Sequence, residues 1–219
     1  MNYTLHFGAV WASFDHLLGG LAIGLALAVA AVAVGTVLGL LSAFASVSKS
    51  RLLRGISGTY VLLIRNIPLL VLVLLVYFAL PATGIRLDKY ESFIGSLALY
   101  AGAYLTEVFR AGLLSVPKGI VEAGRAIGLT RMQTNLSVVM PVMLRNSLPS
   151  LGNTFIGMFK DSSIAAAIAI PELTFEARKI NVDTFRVVET WTVASGLYIA
   201  ACFTIAALLR RLERRFPKF

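Results

Sequence analysis

The chain has 219 residues, of which 58% are hydrophobic and 14% are charged, and its formal net charge at pH 7 is +9. This composition excludes an ordinary soluble domain and predicts a single membrane domain over residues 1–219, in contact with lipid. The excess of lysine and arginine in the cytoplasmic loops of membrane proteins explains the positive charge, so no nucleic-acid partner is expected.

Five apolar stretches approach or exceed the length of about 20 residues that a helix needs to cross a bilayer. The predicted fold class is therefore an all-α membrane protein with five transmembrane helices. Their approximate bounds are 17–47, 66–81, 92–114, 136–159 and 188–209.

Glycines recur at a spacing of four in the first predicted span, at Gly20 and Gly24 and again at Gly35 and Gly39. Because such pairs let helix backbones approach closely in lipid, they predict helix–helix packing. A substrate path along this glycine-rich face is the alternative interpretation.

The segment before the second span is basic and has no acidic residue nearby, which predicts that it lies in the cytoplasm. Its basic residues are Lys49, Arg51 and Arg54. Asn66 is predicted to cap the second span, with Pro68 in the first turn of that helix. Arg65 fits a cytoplasmic interface anchor, and a charge in the pore is the alternative.

Two ionisable residues, Glu107 and Arg110, fall within the third span. They are three residues apart on a helix, so they share a face and are predicted to pair. Because an ionisable residue within a span marks a candidate functional site, Glu107 is a candidate for the substrate path. A structural ion pair near the cytoplasmic end of the span is the alternative.

The segment from about residue 117 to residue 135 connects the third and fourth spans and is polar enough to lie outside the bilayer. As a helix it is amphipathic and ends at Gly128, and Pro141 then falls in the first turn of the next span. The residues that can face a partner protein are Ala123, Ala126, Ile127 and Met132. The residues that stay in water are Glu122, Arg125 and Arg131.

This segment resembles the EAA loop of ABC importer permeases. That family has the pattern EAA, three residues, G, nine residues, I, one residue and LP. The matching positions here are Glu122, Ala123, Gly124, Gly128, Val138, Met140 and Pro141. Three of them depart from the pattern, at Gly124, Val138 and Met140, and each replacement is small or apolar.

Flanking motifs resemble the polar amino-acid branch of that family, and the resemblance runs from about Leu18 to Arg215. These motifs lie at residues 65–70, 115–119, 148–153, 160–163, 170–173 and 210–215. The resemblance implies the type I ABC importer permease fold and a subunit that moves polar amino acids by alternating access. It also implies a segment, at about 117–135, that couples the chain to an ATPase. The residues implied for coupling are Glu122, Ala123, Gly124, Arg125, Gly128 and Pro141.

The rest of the machine is likewise implied by the resemblance. It comprises a second permease subunit, identical or homologous, two ABC ATPase subunits and an extracytoplasmic amino-acid-binding protein. ATP and magnesium are expected in the ATPase, with no cofactor and no enzymatic activity in this chain. The location implied is the bacterial cytoplasmic (inner) membrane, which the chain crosses several times.

Polar and small residues form a stripe at helical spacing on the fourth span, namely Asn146, Ser150, Asn153, Gly157 and Lys160. Prolines and glycines make this span irregular, which a membrane tolerates only where protein or water covers the backbone. A polar stripe on a proline-broken helix predicts a substrate path, and packing through small residues is the alternative.

The substrate-path candidates combine this stripe with polar residues near it. They are Asn66, Glu107, Asn146, Asn153, Lys160, Asp161, Ser162 and Ser163. The last four stand at the outer end of the fourth span, where their groups can meet both charges of an amino-acid zwitterion. A plain Lys160–Asp161 ion pair at the surface is the alternative. Residues 162–170 are too few to span and predict a re-entrant or surface segment.

Lysine and arginine number eleven in the predicted cytoplasmic segments and six in the outer loops, with none in residues 1–16. This asymmetry predicts an amino terminus outside and a carboxyl terminus in the cytoplasm.

A passive channel and a membrane-embedded enzyme are the alternative functions. A channel would not need an EAA loop. An enzyme would need a nucleophile–base pair or a metal cluster. The sequence offers neither, because His6 and His16 lie near the amino terminus and Cys202 lies within an apolar run.

Overall fold

The computed structural model describes residues 3–215, and within this range the protein is built of helices without a β-strand. The α-helices are α1 (Gly8–Ala12), α2 (Phe14–Ser46), α3 (Arg51–Asn66), α4 (Leu69–Leu74), α5 (Lys89–Leu114), α6 (Lys118–Ala126), α7 (Arg131–Thr134), α8 (Met140–Asp161), α9 (Leu173–Thr184) and α10 (Val187–Arg215). Two π-helices, Leu75–Ala79 and Asn135–Val139, and two 3₁₀ helices, Leu80–Thr83 and Ser162–Ile168, complete the secondary structure of these residues.

Among the described residues, α2, α5 and α10 are long and apolar enough to cross a membrane. They cover the stretches predicted as the first, third and fifth spans, except residue 47, which follows the end of α2. The helix α3 and the segment Leu69–Thr83 add a fourth candidate if they are taken as one broken span. Where hydrocarbon begins and ends along each helix stays a prediction.

The chain before the second predicted span differs from expectation, because residues 51–66 form the helix α3. Asn66 ends this helix and does not cap the next one: its Nδ2 donates to the carbonyl oxygen of Leu62 at 2.7 Å. Pro68 occupies the N-cap position of α4 instead. The basic residues indicate a cytoplasmic location and not a loop conformation, and apolar residues such as Leu52 and Ile56 recur here at the spacing of a helix.

The fourth predicted span corresponds to α8, whose 22 residues reach about 33 Å at a rise of about 1.5 Å per residue. It is not among the apolar candidates, since polar residues recur along its length. Pro149 lies inside α8 without ending it, so the irregularity expected from the prolines of this span does not break the helix at Pro149. The irregular backbone lies before α8, in the π-helix Asn135–Val139.

Contacts between Cα atoms divide the chain into two compact units. The first unit contains the described residues up to Ala33, together with Ile67–Ala98 and Phe155–Ile205. The second contains Val34–Asn66, Leu99–Thr154 and the described residues from Ala206.

The core of the first unit is formed where α1, the start of α2, α9 and the start of α10 meet. Its buried apolar residues are Val10, Leu17, Leu173, Ala177, Ile180 and Ala194. Gly20 lets α2 touch the start of α9, because a Cβ at this position would lie 2.8 Å from both the carbonyl carbon of Glu172 and the backbone nitrogen of Leu173. The packing interpretation of the first glycine pair is therefore confirmed.

A buried carboxylate fixes the amino-terminal segment to α10 in the same unit. Glu189 is 0% exposed and accepts hydrogen bonds from the Tyr3 hydroxyl and, at 2.8 Å, from the backbone N–H of His6. Arg186 lies 3.7 Å from the Glu189 carboxylate and donates to the carbonyl oxygen of Thr4 at 3.2 Å. These bonds hold residues 3–6 against the first turn of α10.

In the second unit, α2 and α5 pack closely through glycine. A Cβ on Gly39 would lie 2.7 Å from the Cβ of Leu105, and a Cβ on Gly102 would lie 3.3 Å from the carbonyl oxygen of Gly35. The second glycine pair of α2 therefore also serves helix packing, as its spacing predicts.

Candidate coupling segment and substrate path

The helix α6 contains the EAA-like residues and ends in a Schellman turn at Gly128. The N–H of Gly128 donates to the carbonyl oxygen of Arg125 at 3.0 Å, and the N–H of Leu129 donates to that of Gly124 at 3.2 Å. Gly128 has φ +88°, in the left-handed region where glycine has no steric penalty. The predicted end of the helix at Gly128 is confirmed.

A capping box starts the next helix, α7, with Thr130 as its N-cap, two residues after Gly128. The Thr130 hydroxyl accepts from the N–H of Gln133 at 3.3 Å, and the Gln133 side chain accepts from the N–H of Thr130 at 2.9 Å. This reciprocal pair satisfies two backbone donors at the start of α7. The end of α6 and the start of α7 are therefore both fixed by local hydrogen bonds.

Gly124 is the buried residue of α6 and joins it to the segment that leads into α8. A Cβ at this position would lie 3.5 Å from the Cγ2 atoms of Thr134 and Val138, which is ordinary van der Waals contact. Gly124 thus faces its own chain and not a partner. Pro141 is the second residue of α8, in its first turn as predicted. Through Gly124, α6 is packed against the residues just before α8.

The opposite side of the coupling segment is uncovered. The Ile127 side chain is 79% exposed and that of Met132 is 69% exposed. Glu122, Ala123 and Arg125 are exposed as well. Two large apolar side chains beside charged residues on a helix–turn–helix form a surface that suits docking to another protein.

A polar cavity of about 430 Å³ brings together two of the substrate-path candidates in the second unit, Asn66 and Glu107. Arg65 also lines it, and its guanidinium carbon lies 4.9 Å from the ring centroid of Tyr104, in cation–π contact. Arg110 pairs with Glu107 at 2.5 Å, which confirms the predicted ion pair. The side chains of Arg110 and Glu107 are each about one-third exposed or more. The cavity therefore presents the Arg65 cation and the Glu107 carboxylate to a ligand.

Asn146 lies in a different cavity of the second unit, also of about 430 Å³, between α5 and α8. Its Nδ2 donates to the Ser115 hydroxyl at 2.9 Å, and that hydroxyl donates to the carbonyl oxygen of Gly112 at 2.8 Å. Ser115 was not among the predicted site residues. Its place at the end of α5, just before the coupling segment, is the signal that sequence reasoning passed over.

The remaining candidates lie along the rest of α8 and beyond it. Asn153 is exposed and lines neither of these two cavities. Lys160 is exposed, Asp161 and Ser163 are partly buried, and Ser162 is fully buried. Lys160 and Asp161, both in the described part of the chain, are not joined by an ion pair.

Ser162 begins the 3₁₀ helix Ser162–Ile168, whose buried residues show that it is not a surface segment. The Ser162 hydroxyl donates to the carbonyl oxygen of Phe159 at 2.7 Å, and a Cβ on Gly24 would lie 3.0 Å from it. The sequence predicts a segment too short to span. It does not predict that the segment is buried in the first unit, because that burial depends on contacts with residues distant in the chain.

Glu172 organises the start of α9 and was missed as a site residue. Its buried carboxylate accepts from the N–H of Thr174 at 2.9 Å, from the N–H of Phe175 at 2.8 Å and from the Tyr198 hydroxyl at 2.9 Å. Burial raises the pKa of the Glu172 carboxyl, and these hydrogen bonds oppose that rise. An acidic residue directly before a helix is the signal that could have identified this N-cap.

A family model described as the binding-protein-dependent transport system inner membrane component matches residues 35–218. The chain belongs to this family. The permease is 35% identical over 209 residues to the glutamine transport system permease protein GlnP of Escherichia coli (strain K12), covering 94% of this chain and 95% of the relative. It is 37% identical over 206 residues to the L-cystine transport system permease protein TcyB of Bacillus subtilis (strain 168), covering 93% of this chain and 87% of that relative.

Solved structures agree with this assignment. A crystal structure of an amino acid ABC transporter with histidines matches the permease with a TM-score of 0.88 and 32% identity, covering 97% of this chain and 100% of that one. The MetNI methionine ABC transporter in an inward-facing conformation matches with a TM-score of 0.78 and 20% identity, which shows the shared fold alone. The permease is therefore a membrane transport subunit with the type I ABC importer fold, and not an enzyme. Subunits of this family work with ATPase and binding-protein partners.

Proposed function

We propose that the permease imports polar amino acids by alternating access. Relatives that share about a third of its sequence are named for glutamine and for cystine transport, and the matching crystal structure contains histidines. All three compounds are amino acids with polar side chains. This common chemistry supports an amino-acid substrate for the permease.

The observation that carries the proposal is the geometry of the coupling segment, residues 117–135. One side of it is exposed through Ile127 and Met132, and the other side is packed through Gly124 on residues just before α8. A partner that grips the exposed side therefore moves α8 through direct contact. ATP-driven closure of two ATPase subunits would supply that motion, and the coupling free energy between the two sites would open and close the path.

The proposed assembly contains two permease subunits, identical or homologous, two ATPases and an extracytoplasmic amino-acid-binding protein. ATP and magnesium belong to the ATPases, and the permease itself holds no cofactor. Within the permease, we assign coupling to Glu122, Ala123 and Arg125 on α6, to Gly128 in the turn that follows it, and to Gly124 and Pro141 at the junction of this segment with α8.

The proposed orientation places the amino terminus outside and the carboxyl terminus in the cytoplasm of a bacterial inner membrane. The bias of lysine and arginine toward the coupling segment, the α2–α3 turn and the carboxyl-terminal tail supports it. In this orientation the coupling segment meets cytoplasmic ATPases.

The residues proposed for the substrate path are polar, and each of the two units contains some of them. In the second unit these groups are Asn66, Glu107, Asn146 and Asn153, and in the first they are Lys160, Asp161, Ser162 and Ser163. A zwitterion that leaves water needs such paired donors and acceptors, since an unpaired polar group in an apolar setting costs several kcal/mol.

Reconstitution tests the proposal directly. The permease is purified with its ATPase, inserted into liposomes, and supplied with the cognate binding protein and radiolabelled amino acids. We expect uptake that requires ATP in the liposome lumen, on the side of the ATPase subunits, and one of the polar amino acids outside. Uptake that proceeds equally without ATP would indicate a channel and contradict the proposal.

A further inference from the structure

An apolar cavity of about 440 Å³ lies in the second unit between α2 and α3, with Leu99 of α5 in its wall. The cavity is open at the surface of the protein, where its wall residues Leu41, Leu53 and Ile56 are 67%, 44% and 60% exposed. Its volume falls within the range of about 300–1,000 Å³ that small-molecule sites have. The cavity is separate from the polar cavities assigned to the substrate path.

The polar side chains in the cavity wall have used their donors on one another or on the backbone. The Ser42 and Ser57 hydroxyls lie 2.8 Å apart, and Ser57 donates to the carbonyl oxygen of Ser42 at 2.9 Å. The Tyr60 hydroxyl donates to the carbonyl oxygen of Leu99 at 2.7 Å. A polar ligand such as an amino acid would lose hydrogen bonds to water in this cavity without gaining donors from the wall. A hydrocarbon chain makes no hydrogen bonds to water and therefore has none to lose.

A cluster of exposed cations borders this cavity at the turn between α2 and α3. It consists of Lys49, Arg51 and Arg54, and no acidic residue occurs between positions 46 and 66. Arg54 Nη1 donates to the carbonyl oxygens of Ser48 at 2.7 Å and Lys49 at 3.0 Å, which holds its guanidinium over the turn. The positive end of the α3 dipole lies at the same place, since the helix begins at Arg51.

The cationic turn and the apolar wall are adjacent in the chain. Ala45 lines the cavity one residue before α2 ends, and Leu53 lines it next to Arg54. A ligand with a hydrocarbon chain in the cavity would therefore carry its head group to the basic turn. Since α2 is long and apolar enough to cross a membrane, this arrangement fits a lipid whose head group lies at the interface.

We propose that the cavity and the Lys49–Arg54 turn form a binding site for an anionic phospholipid, with one acyl chain in the cavity and the phosphate at the turn. Basic segments next to membrane spans attract anionic lipids through each lysine or arginine at the surface. The site holds a lipid as a bound ligand and not as bulk solvent.

Native mass spectrometry of the purified full-length permease tests the site with phosphatidylglycerol and phosphatidylcholine of identical acyl chains. We expect the wild-type permease to retain phosphatidylglycerol in preference to phosphatidylcholine. The paired change Lys49→Gln and Arg51→Gln should weaken phosphatidylglycerol binding about fivefold per charge removed. It keeps Arg54 and its bonds to the turn, and it should leave phosphatidylcholine binding unchanged.

Two further sets of variants separate this site from general surface charge. The paired change Arg178→Gln and Lys179→Gln removes two exposed cations from α9 and should leave retention of both lipids unchanged. Ala45→Phe, or Ile56→Trp at a more exposed position, fills the cavity and should weaken both lipids.

Three results would each overturn the proposal. The first is an equal loss of phosphatidylglycerol from both charge variants. The second is full retention of both lipids by the two filled variants. The third is a disulfide between two copies that carry Ala45→Cys in a Cys202→Ser background, which would assign the cavity to a protein contact.

Discussion

The backbone N–H of Leu129 donates to the carbonyl oxygen of Gly124 at 3.2 Å and so closes the end of α6 around Gly128. Gly124 is the residue through which α6 packs on Thr134 and Val138. One short segment therefore combines a turn that needs a left-handed residue with a contact that needs a small one. Changes at the two glycines should have different consequences, because only one of them has a positive φ.

Replacing Gly128 by valine should uncouple the permease from its ATPase. A β-branched residue at φ +88° is strained by more than the roughly 1–2 kcal/mol that an ordinary side chain costs in this conformation. The turn would therefore rearrange and displace Ile127 and Leu129. We expect lower uptake and lower stimulation of ATP hydrolysis, measured in proteoliposomes, with normal insertion of the protein.

Gly119 provides the matched control in the same helix. A Cβ at Gly119 would meet nothing within 4 Å, and its φ is not positive. Gly119→Val should therefore leave uptake close to that of the wild type. Equal loss of coupling in both variants would mean that the geometry at Gly128 is not what matters.

Replacing Gly124 by alanine should stabilise α6 and preserve transport. The new Cβ would lie 3.5 Å from Thr134 and Val138, in ordinary contact, and alanine favours a helix over glycine by about 0.5–1 kcal/mol. Gly124→Leu should instead push α6 away from these residues and lower uptake. Thermal denaturation and uptake of the two purified variants measure both effects; loss of uptake in the alanine variant would contradict the packing described here.

The sequence was informative wherever one residue decides the local backbone. Gly128 could be predicted to end α6 because left-handed helix ends favour glycine, and the glycine pairs of α2 could be predicted to mark close packing. The helix α3 could have been found as well, since its amphipathic pattern is local.

Other features depend on residues that are distant in the chain. The Glu172 carboxylate contacts the hydroxyl of Tyr198, 26 positions later, and no local pattern indicates that bond. The bonds from Tyr3 and His6 to Glu189 are equally nonlocal. Pro149 shows the opposite case, because its propensity predicts a break that the surrounding helix overrides.

Replacing Glu172 by alanine should destabilise the first unit. Two backbone N–H groups and the Tyr198 hydroxyl would lose their acceptor, and each buried donor left unpaired costs about 1–3 kcal/mol. We expect a clear fall in the thermal denaturation temperature of the purified permease. Tyr198→Phe removes the bond from the Tyr198 hydroxyl to Glu172 and the hydrogen bond between that hydroxyl and Thr174 Oγ1, at 2.9 Å, but it keeps both backbone bonds to Glu172 and should have a smaller effect.

Glu176→Ala serves as the comparison, because it truncates an acidic side chain in the same first turn of α9 without removing the N-cap. It should denature near the wild-type temperature. If it matched Glu172→Ala, the hydrogen bonds of Glu172 would not be the source of the stability.

The proposed orientation predicts a pattern of thiol labelling in intact cells. In a Cys202→Ser background, a cysteine at position 49 should be shielded from an impermeant reagent, because the basic turn would lie in the cytoplasm. A cysteine at position 88, in the loop before α5, should be labelled. Both positions should react after the cells are lysed, and reversed labelling before lysis would overturn the orientation.

Asn153 and Asp161 test the substrate path on α8. Asn153 is exposed on the polar stripe, and Asp161 ends the helix beside Lys160, with no ion-pair contact between the two side chains. An exposed pair would contribute only about 0–1 kcal/mol, and its loss would be nearly silent. Groups that replace the water around a zwitterion contribute more, since an unpaired polar group costs several kcal/mol in an apolar setting.

We therefore expect Asn153→Ala and Asp161→Asn each to lower uptake or to shift the preference among polar amino acids, with assembly and basal ATP hydrolysis retained. Thr154→Ala is the control, because the Thr154 hydroxyl donates to the carbonyl oxygen of Ser150 within the same helix and lies off the stripe. Its uptake should match the wild type for every amino acid tested. If assembled complexes with either path variant also matched the wild type for each substrate, neither Asn153 nor Asp161 would lie on the path.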